Sequence, residues 1–104
     1  MGAAENRVET KLRDGIKAIG GKAYKFISPG CGGVPDRILC LPNGKVIFAE
    51  LKSPKGTLSK LQELRINELR SMDQRIVVLS STAEVDSFLK KIREELHHDA
   101  IHPT

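Results

Sequence analysis

The chain has 104 residues, 39% of them hydrophobic and 29% charged, with 17 Lys and Arg against 13 Asp and Glu. That supports one modest core and excludes two. The formal charge of +4 and pI near 9.3 are a mild basic excess, which suits a polyanionic partner without requiring one.

No stretch approaches the roughly 20 apolar residues of a membrane span. The opening MGAAENRVETK lacks the apolar centre of a signal peptide. Cys31 and Cys40 form neither a CxxC pair nor a disulfide framework, so they are read as reduced thiols of a cytoplasmic protein. His97, His98 and His102 lack the thiol or carboxylate spacing that would complete a zinc site.

Residues 5–19 place Val8, Leu12, Ile16 and Ile19 at helical spacing, and Gly20-Gly21 ends the pattern. Residues 22–28 alternate Tyr24 and Phe26 with Lys and Ala, as a strand with one wet face does. SPGCGGVPD is a loop. Strands 37–41 and 45–52 follow, joined at Pro42-Asn43-Gly44, and then a helix over 59–72 with an apolar stripe of Leu58, Leu61, Leu64, Leu69 and Met72. Residues 75–80, RIVVLS, read as a strand buried on both faces. Ser81 and Glu84 form a capping box for a last helix carrying Val85, Phe88, Leu89, Ile92 and Leu96. The order α-β-β-β-α-β-α predicts an α/β fold, a small mixed sheet covered by helices, in one domain over 1–104 with 97–104 as a flexible tail.

The chemistry gathers around the turn LPNGK. A two-residue Asn-Gly turn would pair Leu41 with Val46 and put Asp36 on the face opposite Glu50 and Lys52. A type I turn with Pro42 and Asn43 central and Gly44 in the bulge would pair Leu41 with Lys45 and set Asp36 opposite Glu50 on one face. Proline, whose ring presets φ, tips the balance to the second, while Asn-Gly keeps the first open. In the second register the two carboxylates repel unless a cation lies between them, and Mg²⁺ with oxygen ligands at about 2.0–2.1 Å fits. Lys52 projects from the same face as Glu50, where it can serve the attacking water or the charge building on a phosphate. The Leu51 carbonyl between them offers one more metal oxygen.

GVPDRI, FAELKSPKGTLSKLQ and RIVVLSS together resemble the VRR-NUC branch of the PD-(D/E)XK nuclease superfamily in its compact stand-alone form, from Glu5 to about Leu89. The resemblance implies a restriction-endonuclease-like core and a Mg²⁺- or Mn²⁺-dependent DNA endonuclease. In that reading Asp36 and Glu50 bind the metal and Lys52 assists the water. Glu5 approaches the metal through water, with Glu9 as the fallback, and Gln62 is either a site residue or the N3 partner of a Ser59 cap. Where the family's name specifies Val-Arg-Arg, this chain reads Val77-Val78-Leu79-Ser80, a departure that bears on substrate handling.

So small a nuclease has little room for base readout, which predicts phosphate contacts and recognition of DNA shape. Lys22, Lys25, Arg37 and Lys55 are candidate DNA-binding residues, with Gly32 and Gly33 in a loop the backbone of DNA can approach. Stand-alone relatives of this type imply a homodimer resolving four-way junctions in DNA repair or recombination, in a prokaryotic or phage-infected cell. A flap or nicking endonuclease, a non-catalytic DNA-binding module and a subunit of a larger assembly are the alternatives.

Overall fold

In the computed structural model, which describes residues 3–102, seven elements follow the expected order. They are α1 Ala3–Ala18, β1 Lys22–Lys25, β2 Arg37–Cys40, β3 Val46–Leu51, α2 Lys60–Ser71, β4 Ile76–Leu79 and α3 Thr82–Ile101. The strands form one sheet in the order β1-β2-β3-β4. The first two pairings are antiparallel and β3–β4 is parallel, with α2 as the crossover.

Alternation along β3 sorts the two faces of the sheet. Ile47, Ala49 and Leu51 point into a core closed by Val8, Leu12 and Ile16 of α1 and by Val85, Phe88 and Leu89 of α3. Val46, Phe48 and Glu50 point the other way, towards α2. The two faces therefore do different work: one is the core, and the other holds a buried acid.

The β2–β3 turn decides where that acid meets its neighbour. Leu41 N–H donates to Lys45 O at 2.9 Å, Gly44 N–H donates to Leu41 O at 3.1 Å, and Gly44 has φ +83°. Paired residue numbers sum to 86, from Arg37 opposite Ala49 to Cys40 opposite Val46. This is the proline-led turn with its glycine bulge, and the Asn-Gly alternative is excluded.

Several expectations are corrected by long-range packing. β1 ends at Lys25, although Phe26 N–H still donates to Asp36 O at 2.8 Å. Its wet face is the aromatic one: Ala23 lies in the core, while Tyr24 is 49% exposed beneath the Lys22 ammonium. β4 is an edge strand whose Leu79 alone is fully buried, because only β3 pairs with it. The expected stripe on α2 mostly faces outward, with Leu61, Leu64 and Met72 exposed and Ile66 buried instead. At α3, Ser81 Oγ accepts from Glu84 N–H, but the Glu84 carboxylate turns to Ser80 N–H and Oγ, both at 2.7 Å, so the capping box is half made. Residues 97–101, expected in a flexible tail, continue α3. Asp99 fastens them to the β2–β3 turn by accepting from Asn43 Nδ2 at 2.8 Å and pairing with Lys45 at 3.1 Å. The remainder of that expected tail, 103–104, lies outside the described residues.

Candidate active site

Asp36 stands just before β2 and, by the register, opposite Glu50. Its Oδ2 accepts from Leu51 N–H at 2.8 Å, which locks the entrance of β2 onto the end of β3. Glu50 is 1% exposed. Its Oε1 accepts from Gln62 Nε2 at 2.8 Å, while Oε2 has no partner and is the only such buried side-chain oxygen or nitrogen among the described residues. A buried carboxylate oxygen without a donor is costly, so it calls for a proton or a cation.

The electrostatics agree. Burial, then the neighbouring Asp36 charge, and to a lesser extent Glu5, push Glu50 up to about 7, against the lowering pull of the Asp36 backbone N–H. Burial likewise raises Asp36, against the hydrogen bond from Leu51, and the charges of Glu5 and Glu9 add to the rise. Among the described residues, neither carboxylate forms an ion pair with a Lys or Arg side chain. Two close acids whose affinity for protons is raised by burial and by each other's company are suited to a hard divalent cation. No three His, Cys, Asp or Glu among the described residues converge closely enough to hold an ion alone.

α2 explains how Glu50 is held. Ser59 caps it: Gln62 N–H donates to Ser59 Oγ at 3.1 Å, and Ser59 N–H donates to Gln62 Oε1 at 2.8 Å. The amide's other end reaches Glu50. Cap and site residue, offered by the sequence as alternatives, are one side chain used at both ends.

Lys52 begins the connection after β3, with its N–H donating to Leu79 O at 3.0 Å and its Nζ to Gly56 O at 3.1 Å. Glu84 lies within its field; two Ser80 hydrogen bonds, and less strongly Lys52, hold that carboxyl below the usual range. On α1, Glu5 adds its charge to both site acids, whereas Glu9 pairs with Arg37 across the core face. The two glutamates therefore differ: the charge of Glu5 reaches both acids, while that of Glu9 reaches Asp36 alone and is paired with Arg37.

The expected DNA contacts divide. Lys25, opposite Arg37, projects from the other face of the sheet than Asp36 and Glu50, and Lys55 is three residues beyond Lys52; both are exposed. Lys22 is opposite Cys40 at the far end of the sheet, and Arg37 is turned inward to Glu9 and Ala23 O. Both cysteines are free and half-buried. The glycine loop approaches α2 rather than open space. A Cβ on Gly32 would lie 2.9 Å from Leu61 Cδ2, and one on Gly33 would lie 2.7 Å from Leu61 O, with φ already at +79°. Gly33→Ala is therefore expected to lower stability by about 1–3 kcal/mol from backbone strain alone, read as a lower urea midpoint at unchanged slope. Sequence reasoning missed Arg65, whose Nε donates to Gly32 O at 2.8 Å. Its spacing of three from Gln62, which puts both on one helix face, was the available signal.

Comparison with known proteins bears on the family and the fold. The VRR-NUC domain profile matches residues 3–83. Over 77 residues the chain is 43% identical to "Putative nuclease p44" of Acyrthosiphon pisum secondary endosymbiont phage 1, covering 74% of this chain and 83% of that protein. A solved structure of a VRR-NUC domain superposes with a TM-score of 0.78 at 26% identity, covering 83% of this chain and 94% of that one. With the fold, the element order and the profile in agreement, the chain belongs to the VRR-NUC family of nuclease domains within the PD-(D/E)XK superfamily.

Proposed function

We propose that the protein is a divalent-metal-dependent, structure-specific DNA endonuclease that works as a homodimeric Holliday-junction resolvase. The observation that carries the chemistry is Glu50 Oε2, buried and partnerless beside Asp36. Asp36 and Glu50 would hold Mg²⁺ or Mn²⁺, with the Leu51 carbonyl and, through water, Glu5 adding oxygen donors. When bound, the ion supplies Lewis-acid polarisation of the scissile phosphate and a more acidic water.

The chain's own residues do the rest. Gln62 holds Glu50 by one oxygen and leaves the other for the ion. Leu51 N–H holds Asp36 in the paired position. Lys52 orients or deprotonates the attacking water, or stabilises the charge that develops on the phosphate. Lys25 and Lys55, both exposed, supply phosphate contacts.

The dimer reading is supported by the face of the sheet that carries Tyr24 and Val46, 49% and 46% exposed. Apolar surface of this kind suits a second subunit, and two sites related by a two-fold axis suit paired cuts in a four-way junction. The setting is DNA repair or recombination in the cytoplasm of a prokaryotic or phage-infected cell. Among the described residues, no helix is long and apolar enough to cross a membrane.

A labelled four-way junction and a duplex of matching sequence, incubated with Mn²⁺ or EDTA, test the proposal. Paired cuts on opposite arms, absent with EDTA and in Glu50→Ala, are expected, with the duplex spared. Cleavage confined to flaps or nicked duplex would keep the chemistry and remove the resolvase. Tight binding with no cut would leave a DNA-binding module.

A further inference from the structure

Neighbouring turns of α2 make three contacts, one to Glu50 and two to the glycine segment that precedes Asp36. Gln62 holds Glu50 on β3. Leu61 lies against Gly32 and Gly33, close enough that neither position admits a side chain without a shift. Arg65 Nε donates to Gly32 O at 2.8 Å, and its side chain is only 20% exposed. Gly32 and Gly33 lead through Val34 and the buried Pro35 directly into Asp36.

We infer that Arg65 is a positioning residue for the metal site: α2 is a bracket that grips Glu50 through Gln62 and the Asp36 loop through Arg65, and so fixes the spacing between the two carboxylates. The inference rests on the metal-site reading above. The physical case is one of reach. Asp36 lies just outside the β2–β3 ladder; its carboxylate is held by Leu51 N–H of β3, and its carbonyl accepts from Phe26 N–H. Those bonds act at Asp36 itself, and once a cation competes for the carboxylate the glycine segment leading into it is steadied from α2. A charged guanidinium on a backbone carbonyl is a strong anchor. The remaining partner, Glu68, is 3.5 Å away on the exposed side and makes a far weaker claim on the same side chain.

Groups that orient metal ligands from behind typically change metal affinity or activity about 10–100-fold when removed, and Arg65, one step further back, should fall near about 10-fold. Arg65→Met keeps the packed stem and removes the donor. Arg65→Lys restores a donor to Gly32 O without the planar fork. Mn²⁺ binding would be followed by calorimetry and by loss of the free-ion electron paramagnetic resonance signal, alongside junction binding and the Mn²⁺ dependence of cleavage. The expected result is an approximately 10-fold weaker Mn²⁺ affinity for Arg65→Met in both readouts, with junction affinity unchanged, partial recovery in Arg65→Lys and wild-type behaviour in Glu68→Ala. Unchanged Mn²⁺ affinity in Arg65→Met overturns the inference. So does a variant that loses junction affinity alone, which would make Arg65 a DNA contact. Should the wild-type protein neither bind Mn²⁺ nor cleave, the underlying metal-site reading falls first, a result distinct from either.

Discussion

Glu50→Gln is expected to abolish cleavage and, in the absence of metal, to stabilise the protein above pH 7. The first half follows from losing an anionic ligand. An interaction worth several kcal/mol in the transition state corresponds to a rate loss of about 10³-fold. The second half follows from the raised affinity of Glu50 for its proton. In the unfolded chain this carboxyl titrates near 4.5, and in the folded one near 7. Below 4.5 both states are protonated and the group contributes nothing to the pH dependence. Between the two values the folded state binds more protons, so stability falls as pH rises, and above 7 the full penalty remains. At about 1.4 kcal/mol per unit the penalty is roughly 3 kcal/mol. Glutamine carries no such charge and still offers an oxygen to Gln62. Urea unfolding in EDTA should show the variant and wild type nearly equal at pH 5, with the variant pulling ahead through pH 6 and 7. Added Mn²⁺ should narrow the gap by favouring the ionised wild-type acid. A difference that stays constant from pH 5 to 8 would sink this account of Glu50.

Lys52→Ala is the second large effect, and it separates chemistry from binding. Removing a group that serves the water or the developing charge costs about 10²–10³-fold in rate. Mn²⁺ and junction affinities should be nearly unchanged, because Lys52 is not proposed as a metal ligand. The fold should survive, since the backbone bond to Leu79 O does not involve the side chain, and losing Nζ on Gly56 O costs about 1 kcal/mol. Lys52→Arg then divides the roles. An arginine stabilises charge but does not give up its proton, so partial recovery indicates charge stabilisation and none indicates proton transfer. Equal single-turnover rates in wild type and Lys52→Ala would remove the lysine from the mechanism.

The features legible in the sequence were those decided by short-range chemistry. Pro42-Asn43-Gly44 carried enough turn preference to place Asp36 opposite Glu50, because the register of a hairpin is set within five residues. The helical periods of α1 and α3 named half of the core. What periodicity does not supply is which side of an element meets the rest of the molecule. Tyr24 and Phe26 look like the dry face of a strand, yet the dry face is the one under α1, where the small Ala23 fits. The leucines of α2 look like a buried stripe, yet the helix turns Ile66, Gln62 and Arg65 inward to serve β3 and the glycine loop. Glu5 was preferred to Glu9, one turn on, by resemblance alone, and it is Arg37, 28 residues from Glu9, that pairs with the fallback. In each case the deciding partner lies far along the chain, and no local pattern encodes it.

The double use of Gln62 has a thermodynamic consequence. Helix ends fray more readily than helix centres, and local opening of this kind is an equilibrium. Here the first turn of α2 closes through the same amide that holds Glu50, so fraying and release of the acid are a single event rather than two. Any cation that prefers the held form of Glu50 must then also favour the closed turn, by mass action. The start of a surface helix thereby becomes part of the binding equilibrium of a buried carboxylate, and its ordering is a built-in readout of the occupancy of the site.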